Sequence, residues 1–96
     1  MYARVSRFGG GQAGASPPSA EEVLPALRNT DGFRGLISLV DRASGDALAI
    51  TLWESEGAMH ASEAKADEMR REMAAAAGDE IRGVERYEVD ALQLEP

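Results

Sequence analysis

Between Gly32 and Ser55 the chain reads GFRGLISLVDRASGDALAITLWES, two apolar runs joined across Ser44-Gly45 and closed by the only tryptophan. Runs of this length around a Ser-Gly turn pair as an antiparallel hairpin. The pattern predicts strands over Phe33–Arg42 and Ala47–Trp53. Alternation places Phe33, Ile37 and Leu39 on one side of the first strand and Leu36 and Val40 on the other. In the second strand Leu48, Ile50 and Leu52 stand opposite Ala47, Ala49 and Trp53. Both faces of the hairpin are therefore apolar. An antiparallel sheet with one solvated face shows polar residues there, so the second face is expected to meet another copy of the chain across a two-fold axis.

The remaining segments arrange themselves around this hairpin. Tyr2–Phe8 reads as a first strand ended by glycines, and residues 9–18 as a flexible loop. Ser19-Ala20-Glu21-Glu22 is a capping box, in which hydroxyl and carboxylate each satisfy a free amide, so a helix starts there with Ala20, Val23, Leu24 and Leu27 inward. Pro25 inside it removes one hydrogen bond and crowds the preceding turn, at about 3 kcal/mol, which predicts a short or kinked helix. After Trp53 a long helix is expected from Ser55, its N-cap, to Ala77, with Gly78 as the stop. Met59, Ser62, Ala66, Met69, Met73 and Ala76 make its inner stripe. A fourth strand follows over Ile81–Val89. The tail at 92–96, with Leu92 and Leu94, either extends that strand or crosses to the partner. The order is βαββαβ, a ferredoxin-like α+β domain with a four-stranded antiparallel sheet and both helices on one face.

Composition restricts what such a domain does. A chain of 96 residues makes a single domain over 1–96, and a modest core gains from a partner subunit. A net charge of -7 opposes binding to phosphate backbones, so nucleic acid is an unfavourable partner. The start MYARVSRF has no apolar run of signal-peptide type, and no later segment approaches the roughly 20 apolar residues of a membrane span. The absence of cysteine fits a cytoplasmic location and removes thiolate chemistry. No cluster of His, Asp and Glu has metal-ligand spacing, so neither metal nor cofactor is expected. Gly9, Gly11 and Gly14 match G-x-G-x-x-G after a strand. A dinucleotide site needs a helix opening inside that motif within a parallel unit, whereas Ala15-Ser16-Pro17-Pro18 intervene here and the sheet is antiparallel.

Five features together resemble the antibiotic biosynthesis monooxygenase-like superfamily of dimeric α/β barrels. They are the first strand, Gly32-Phe33-x-Gly35, Asp41-Arg42 with Gly45, Thr51-x-Trp53-Glu54-Ser55 before a helix, and Val84-Glu85-Arg86-Tyr87-Glu88-Val89. The likeness runs from Met1 to about Ala91 and is nearest to the small bacterial members. It implies a homodimer built through the sheet face, a pocket between sheet and helices, and a small aromatic or polyketide-like ligand. The implied reaction is cofactor-free oxygenation, in which an ionised phenol or enol itself reduces oxygen. Haem-degrading members carry Asn-Arg on the first strand and a His ten residues after the Trp. Here Ser6-Arg7 and Glu63 stand at those positions, which disfavours haem degradation.

Under the oxygenase reading the candidate general base is His60, the only side chain that ordinarily titrates near neutrality, or a water. Trp53 and Ser6 are expected to hold the substrate, with an arginine such as Arg7 favouring its anion. The other reading is a non-catalytic binding or interaction protein of the same fold, with Met69 and Met73 plugging the cavity and His60 a plain helix residue. An open space of about 300 Å³ or more with converging polar groups separates the two.

Overall fold

The computed structural model describes residues 1–10 and 20–96. Along the chain run β1 (Tyr2–Gly9), α1 (Ala20–Arg28), β2 (Phe33–Val40), β3 (Ala47–Trp53), α2 (Glu56–Ala61), α3 (Glu63–Ala77) and β4 (Glu80–Glu88). The strands form one sheet in the order β2-β3-β1-β4 with every neighbouring pair antiparallel. This is the ferredoxin-like α+β arrangement, its second helix divided in two.

Helix ends follow from local chemistry. The Ser55 side chain accepts from the Ala58 amide and caps α2. Gly78, at φ +68, closes α3, and the Asp79 amide returns to the Ala74 carbonyl at 2.8 Å. The short α1 has nine residues with Pro25 inside, Leu27 buried and Pro25 exposed. Lys65 of α3 donates to the Ala26 carbonyl at 3.2 Å and so ties the two helices together at the end of α1. The predicted loop at 9–18 and the Ser19 cap fall outside the described residues, apart from Gly9, which ends β1, and Gly10.

Four sequence expectations are corrected. The helix predicted over Ser55–Ala77 breaks at Ser62, where a buried arginine takes up local polar groups. Its inner stripe then runs through Arg70, Ala74 and Ala77 instead of Ala76, which is exposed. The strand expected to reach Arg42 ends at Val40, because the exposed Asp41 opens a turn in which its carboxylate accepts from the Ala43 and Ser44 amides. The turn is therefore wider than a two-residue Ser-Gly turn and closes where the Asp41 amide meets the Asp46 carbonyl at 2.8 Å. A bulge at Arg34 shifts the register, so that Phe33 pairs with Trp53 while Gly35 pairs with Leu52. Phe33 thus leaves the side of Ile37 and Leu39 and meets the Trp53 ring edge-on, with centroids 5.7 Å apart. Finally, β4 ends at Glu88, and Leu92 and Leu94 are exposed outside any strand, so of the two courses expected for the tail the extension of β4 is the one not taken.

The helices cover the sheet face that carries Arg4, Ser6, Phe8, Leu36 and Ala49. On the opposite face Ile37, Leu39 and Tyr87 are 37%, 46% and 51% exposed, and Val5, Leu48 and Ile50 lie between them. Among the described residues no helix is long and apolar enough to cross a membrane.

Gly32 makes the tightest approach between the hairpin and α2. Its φ is +80, and a Cβ placed there would lie 2.4 Å from the Ala58 Cβ. Left-handed backbone and crowding add, so Gly32→Ala is expected to destabilise the fold by about 2–4 kcal/mol in chemical denaturation. A cost within the noise of such a measurement would refute this contact.

Candidate functional site

The inner face of β1 carries an arginine where an apolar residue would ordinarily sit. Arg4 is 2% exposed, and its guanidinium lies over the Trp53 ring at 5.4 Å. A buried cation needs hydrogen-bond partners and counter-charge together. Its Nη2 donates to the Met59 carbonyl at 2.7 Å, the Ser62 hydroxyl at 2.8 Å and Glu63 Oε1 at 2.8 Å, and its Nε also reaches Glu63. The Ser62 hydroxyl donates in turn to the Met59 carbonyl. These bonds occupy the backbone at the point where α2 gives way to α3.

Register places Arg86 of β4 directly beside Arg4. Like charges facing each other across strands repel. Glu63 relieves this by receiving Arg86 on both oxygens, at 2.9 and 2.6 Å, while it holds Arg4. The Arg86 hydrogen bonds first, and those of Arg4 second, pull the Glu63 carboxyl down to about 2 against the opposing effect of burial.

Beyond this cluster the sheet forms the floor of a cavity. Ser6, Ala49 and Ser38 make one cross-strand row on the inner face, and three small side chains in a row leave space above them. Met69 and Met73 of α3 and Val23 and Leu27 of α1 close that space, while Arg4, Arg70 and Thr51 form its polar side. The cavity holds about 70 Å³ and reaches the surface beside Ser38, which is exposed on the edge strand β2. Arg70 is 7% exposed. Its Nη2 lies 3.7 Å from Asp67, beyond hydrogen-bond reach, and its Nη1 is the buried side-chain atom without a partner among the described residues. Burial, then repulsion from Arg4, lowers the pKa of this guanidinium.

Of the residues predicted from sequence, only Ser6 lines this cavity. Trp53 is 1% exposed and donates to the Thr51 hydroxyl at 2.9 Å. It faces a gap of only about 10 Å³ and serves as the surface on which Arg4 rests. Arg7 points to the opposite sheet face, where it pairs with Glu85, and Glu85 also accepts from the Tyr87 hydroxyl at 2.6 Å. His60 is exposed on α2 and is absent from the lining. The sequence reading missed Arg4, Glu63 as its partner, Arg70 and Thr51. Arg4 shares alternation with Tyr2, Ser6 and Phe8, a signal that marks it inward once Phe8 is known to be core. Of the other strand arginines, Arg86 pairs with Glu63 and Arg82 with Asp46. Among the described residues no group of three or more His, Cys, Asp or Glu is arranged to hold a metal.

Comparison with solved structures shows the same fold in two proteins. One is a candidate antibiotic biosynthesis monooxygenase from Deinococcus radiodurans, with a TM-score of 0.66 and 18% identity, covering 100% of both chains. The other is a variant of SnoaB, a cofactor-independent oxygenase from Streptomyces nogalater, with a TM-score of 0.63 and 17% identity, covering 98% of this chain and 97% of that one. The likeness read from the motifs thus holds for the fold. No family model matches the chain. In sequence it is 40% identical over 70 residues to the uncharacterised protein Rv2557 of Mycobacterium tuberculosis, covering 73% of this chain and 31% of that protein. It is 50% identical over 40 residues to Rv2558 of the same organism, covering 42% and 17%. The chain spans less than a third of the length of these curated relatives.

Because the Glu63 carboxyl lies near 2 in the folded chain against an ordinary 4.5, its contribution to stability is complete above pH 4.5 and is lost as pH falls toward 2. Glu63→Gln is expected to cost about 3 kcal/mol or more at pH 7, since two adjacent arginines lose their shared counter-charge, and to flatten the acid limb of the stability profile. Denaturant unfolding at a series of pH values measures both. An unchanged acid limb in the variant would remove Glu63 from this role.

Proposed function

We propose that the chain is a small-molecule-binding protein acting as a homodimer, with its ligand in the cavity over Ser6, Ala49 and Ser38. The observation that carries the binding reading is the composition of that cavity. Hydroxyls and a buried guanidinium converge on a space otherwise lined by flexible methionines and aliphatic side chains, which is how ligand sites are built. At about 70 Å³, with Met69 and Met73 in its wall, it falls well below the roughly 300 Å³ that separates the two readings, which favours the non-catalytic binding protein and restricts the ligand to a small one. An aromatic or polyketide-like ligand enters only as Met69 and Met73 rotate aside, a motion that three rotatable bonds permit.

The second reading, cofactor-independent oxygenation of an enol or phenol, is supported by the fold shared with SnoaB. In that reaction the ionised substrate donates electrons to oxygen directly. No carboxylate or imidazole lines the cavity among the described residues, and His60 lies outside it. The contribution of this chain's described residues is therefore to favour the substrate anion through the arginines, with the proton passing to water. The exposed apolar face with Ile37 and Leu39 supports the dimer, because contiguous apolar patches of this kind are uncommon on monomers.

Titration with acetylacetone, a small enolisable diketone, is expected to shift the methyl resonances of Met69 and Met73, and Ala49→Leu, which fills the floor, should weaken binding tenfold or more. Oxygen uptake with the same diketone, unaffected by His60→Ala, would establish the second reading. Undisturbed methionine signals across small enols and neutral ketones would end the binding reading. Light scattering should give about twice the 10.2 kDa chain mass, and Ile50→Asp should halve it or unfold the protein; a monomer with both faces intact would refute the dimer.

A further inference from the structure

The cavity carries a charge that nothing in it balances. Among the arginines that approach it, Arg4 is satisfied by Met59, Ser62 and Glu63. Arg70 is not: more than nine-tenths buried, it keeps Nη1 without a partner, and its nearest carboxylate, Asp67, is half-exposed and already engaged by Arg71 at 3.2 Å. Leaving a buried charged donor unpaired is unfavourable, and an anion accepting from it would restore both the hydrogen bond and the charge. The remaining lining sets the rest of the ligand. Thr51 already accepts from Trp53, so its hydroxyl proton is free to donate, as is that of Ser6. Opposite them Met69, Met73 and Leu27 offer only apolar contact.

We propose that Arg70 is the anion-recognising residue of this cavity and that the ligand is a short-chain carboxylate, its oxygens accepting from Arg70 Nη1 and its alkyl tail lying against Met69 and Met73. Size limits the tail. A space of about 70 Å³ lies far below the roughly 300 Å³ at which drug-sized sites begin, so the alkyl chain is short. This inference rests on the binding reading and deepens it. It is also separable from it, since a cavity that binds small neutral molecules need not read charge.

The test compares propionate with propionamide, which matches its shape without the charge, on the whole chain by the same methionine methyl resonances. Propionate should bind tenfold or more tightly than propionamide at neutral pH. Arg70→Met, which keeps an unbranched apolar stem, should erase the preference, while Arg70→Lys should retain part of it. Nitrate should bind more weakly than propionate, because it lacks the tail. Equal affinity for propionate and propionamide in the wild-type chain overturns the proposal without need of any variant, and so does a preference that survives in folded Arg70→Met. Nitrate matching propionate overturns the carboxylate assignment. If propionamide and acetylacetone bind while propionate gains nothing, the binding reading stands and this inference falls; if none of the three binds, both fall.

Discussion

A single carboxylate, Glu63, holds two neighbouring arginines in place, and much of the architecture is arranged around that bridge. Arg4 and Arg86 face each other on adjacent strands, a placement that would push β1 and β4 apart were the charge not shared. Glu63 reaches both from the first turn of α3, so the helix is docked to the sheet through its own N-terminal end. The acid also sits favourably at the positive end of the α3 dipole. The break between α2 and α3 belongs to the same arrangement. Arg4 needs more acceptors than one carboxylate supplies, and the Met59 carbonyl and Ser62 hydroxyl become available where the helix yields. Trp53, packed under the guanidinium and against Phe33, completes the enclosure without touching the cavity.

The strand plan was legible because it rests on local rules. Alternation in Ala47–Trp53, the glycine stop at Gly78 and the Ser55 cap depend on residues within a few positions of one another, and each appears in the structure where its chemistry places it. Apart from the end of β2, which the local bonds of Asp41 to the Ala43 and Ser44 amides set, the errors lie where a distant partner overrides a local pattern. Nothing near Ser62 in sequence says that the helix should break there; the cause is Arg4, 58 residues earlier. Nor does any local signal distinguish the bulge at Arg34, which moves Phe33 to the face of Trp53. The site was less legible than the fold for the same reason. Reading His60 as a base relied on its ordinary titration range, a property of the residue alone, whereas membership of a cavity is a property of packing. The cavity itself arises from three small residues, Ser6, Ala49 and Ser38, that are unremarkable on three separate strands and become a row only through register.

Where the resemblance looks for histidine, ten residues after Trp53, this chain has Glu63. The difference is more than the loss of a metal ligand. A carboxylate committed to two arginines, with its pKa drawn far below the ordinary range, stays ionised at any physiological pH and cannot accept a proton from a substrate. The position therefore serves structure. Fold alone does not determine what a site does.

Charge balance distinguishes the arginines of this interface from one another. Arg4 and Arg86 share Glu63, while on the other sheet face Arg7 has Glu85. Each of these arginines has a carboxylate partner within the chain. Arg70, two helical turns beyond Glu63 on the same helix, occupies a comparable position over the sheet, but the groups facing it from β1 and β3 are the hydroxyls of Ser6 and Thr51, and no carboxylate answers it there. A serine and a threonine beneath a guanidinium can only donate to or accept from a guest; they cannot neutralise the charge. The asymmetry between an arginine pair sharing a carboxylate and an arginine with an unpartnered nitrogen two turns along the same helix separates the part of this helix–sheet contact that supports the fold from the part proposed to bind.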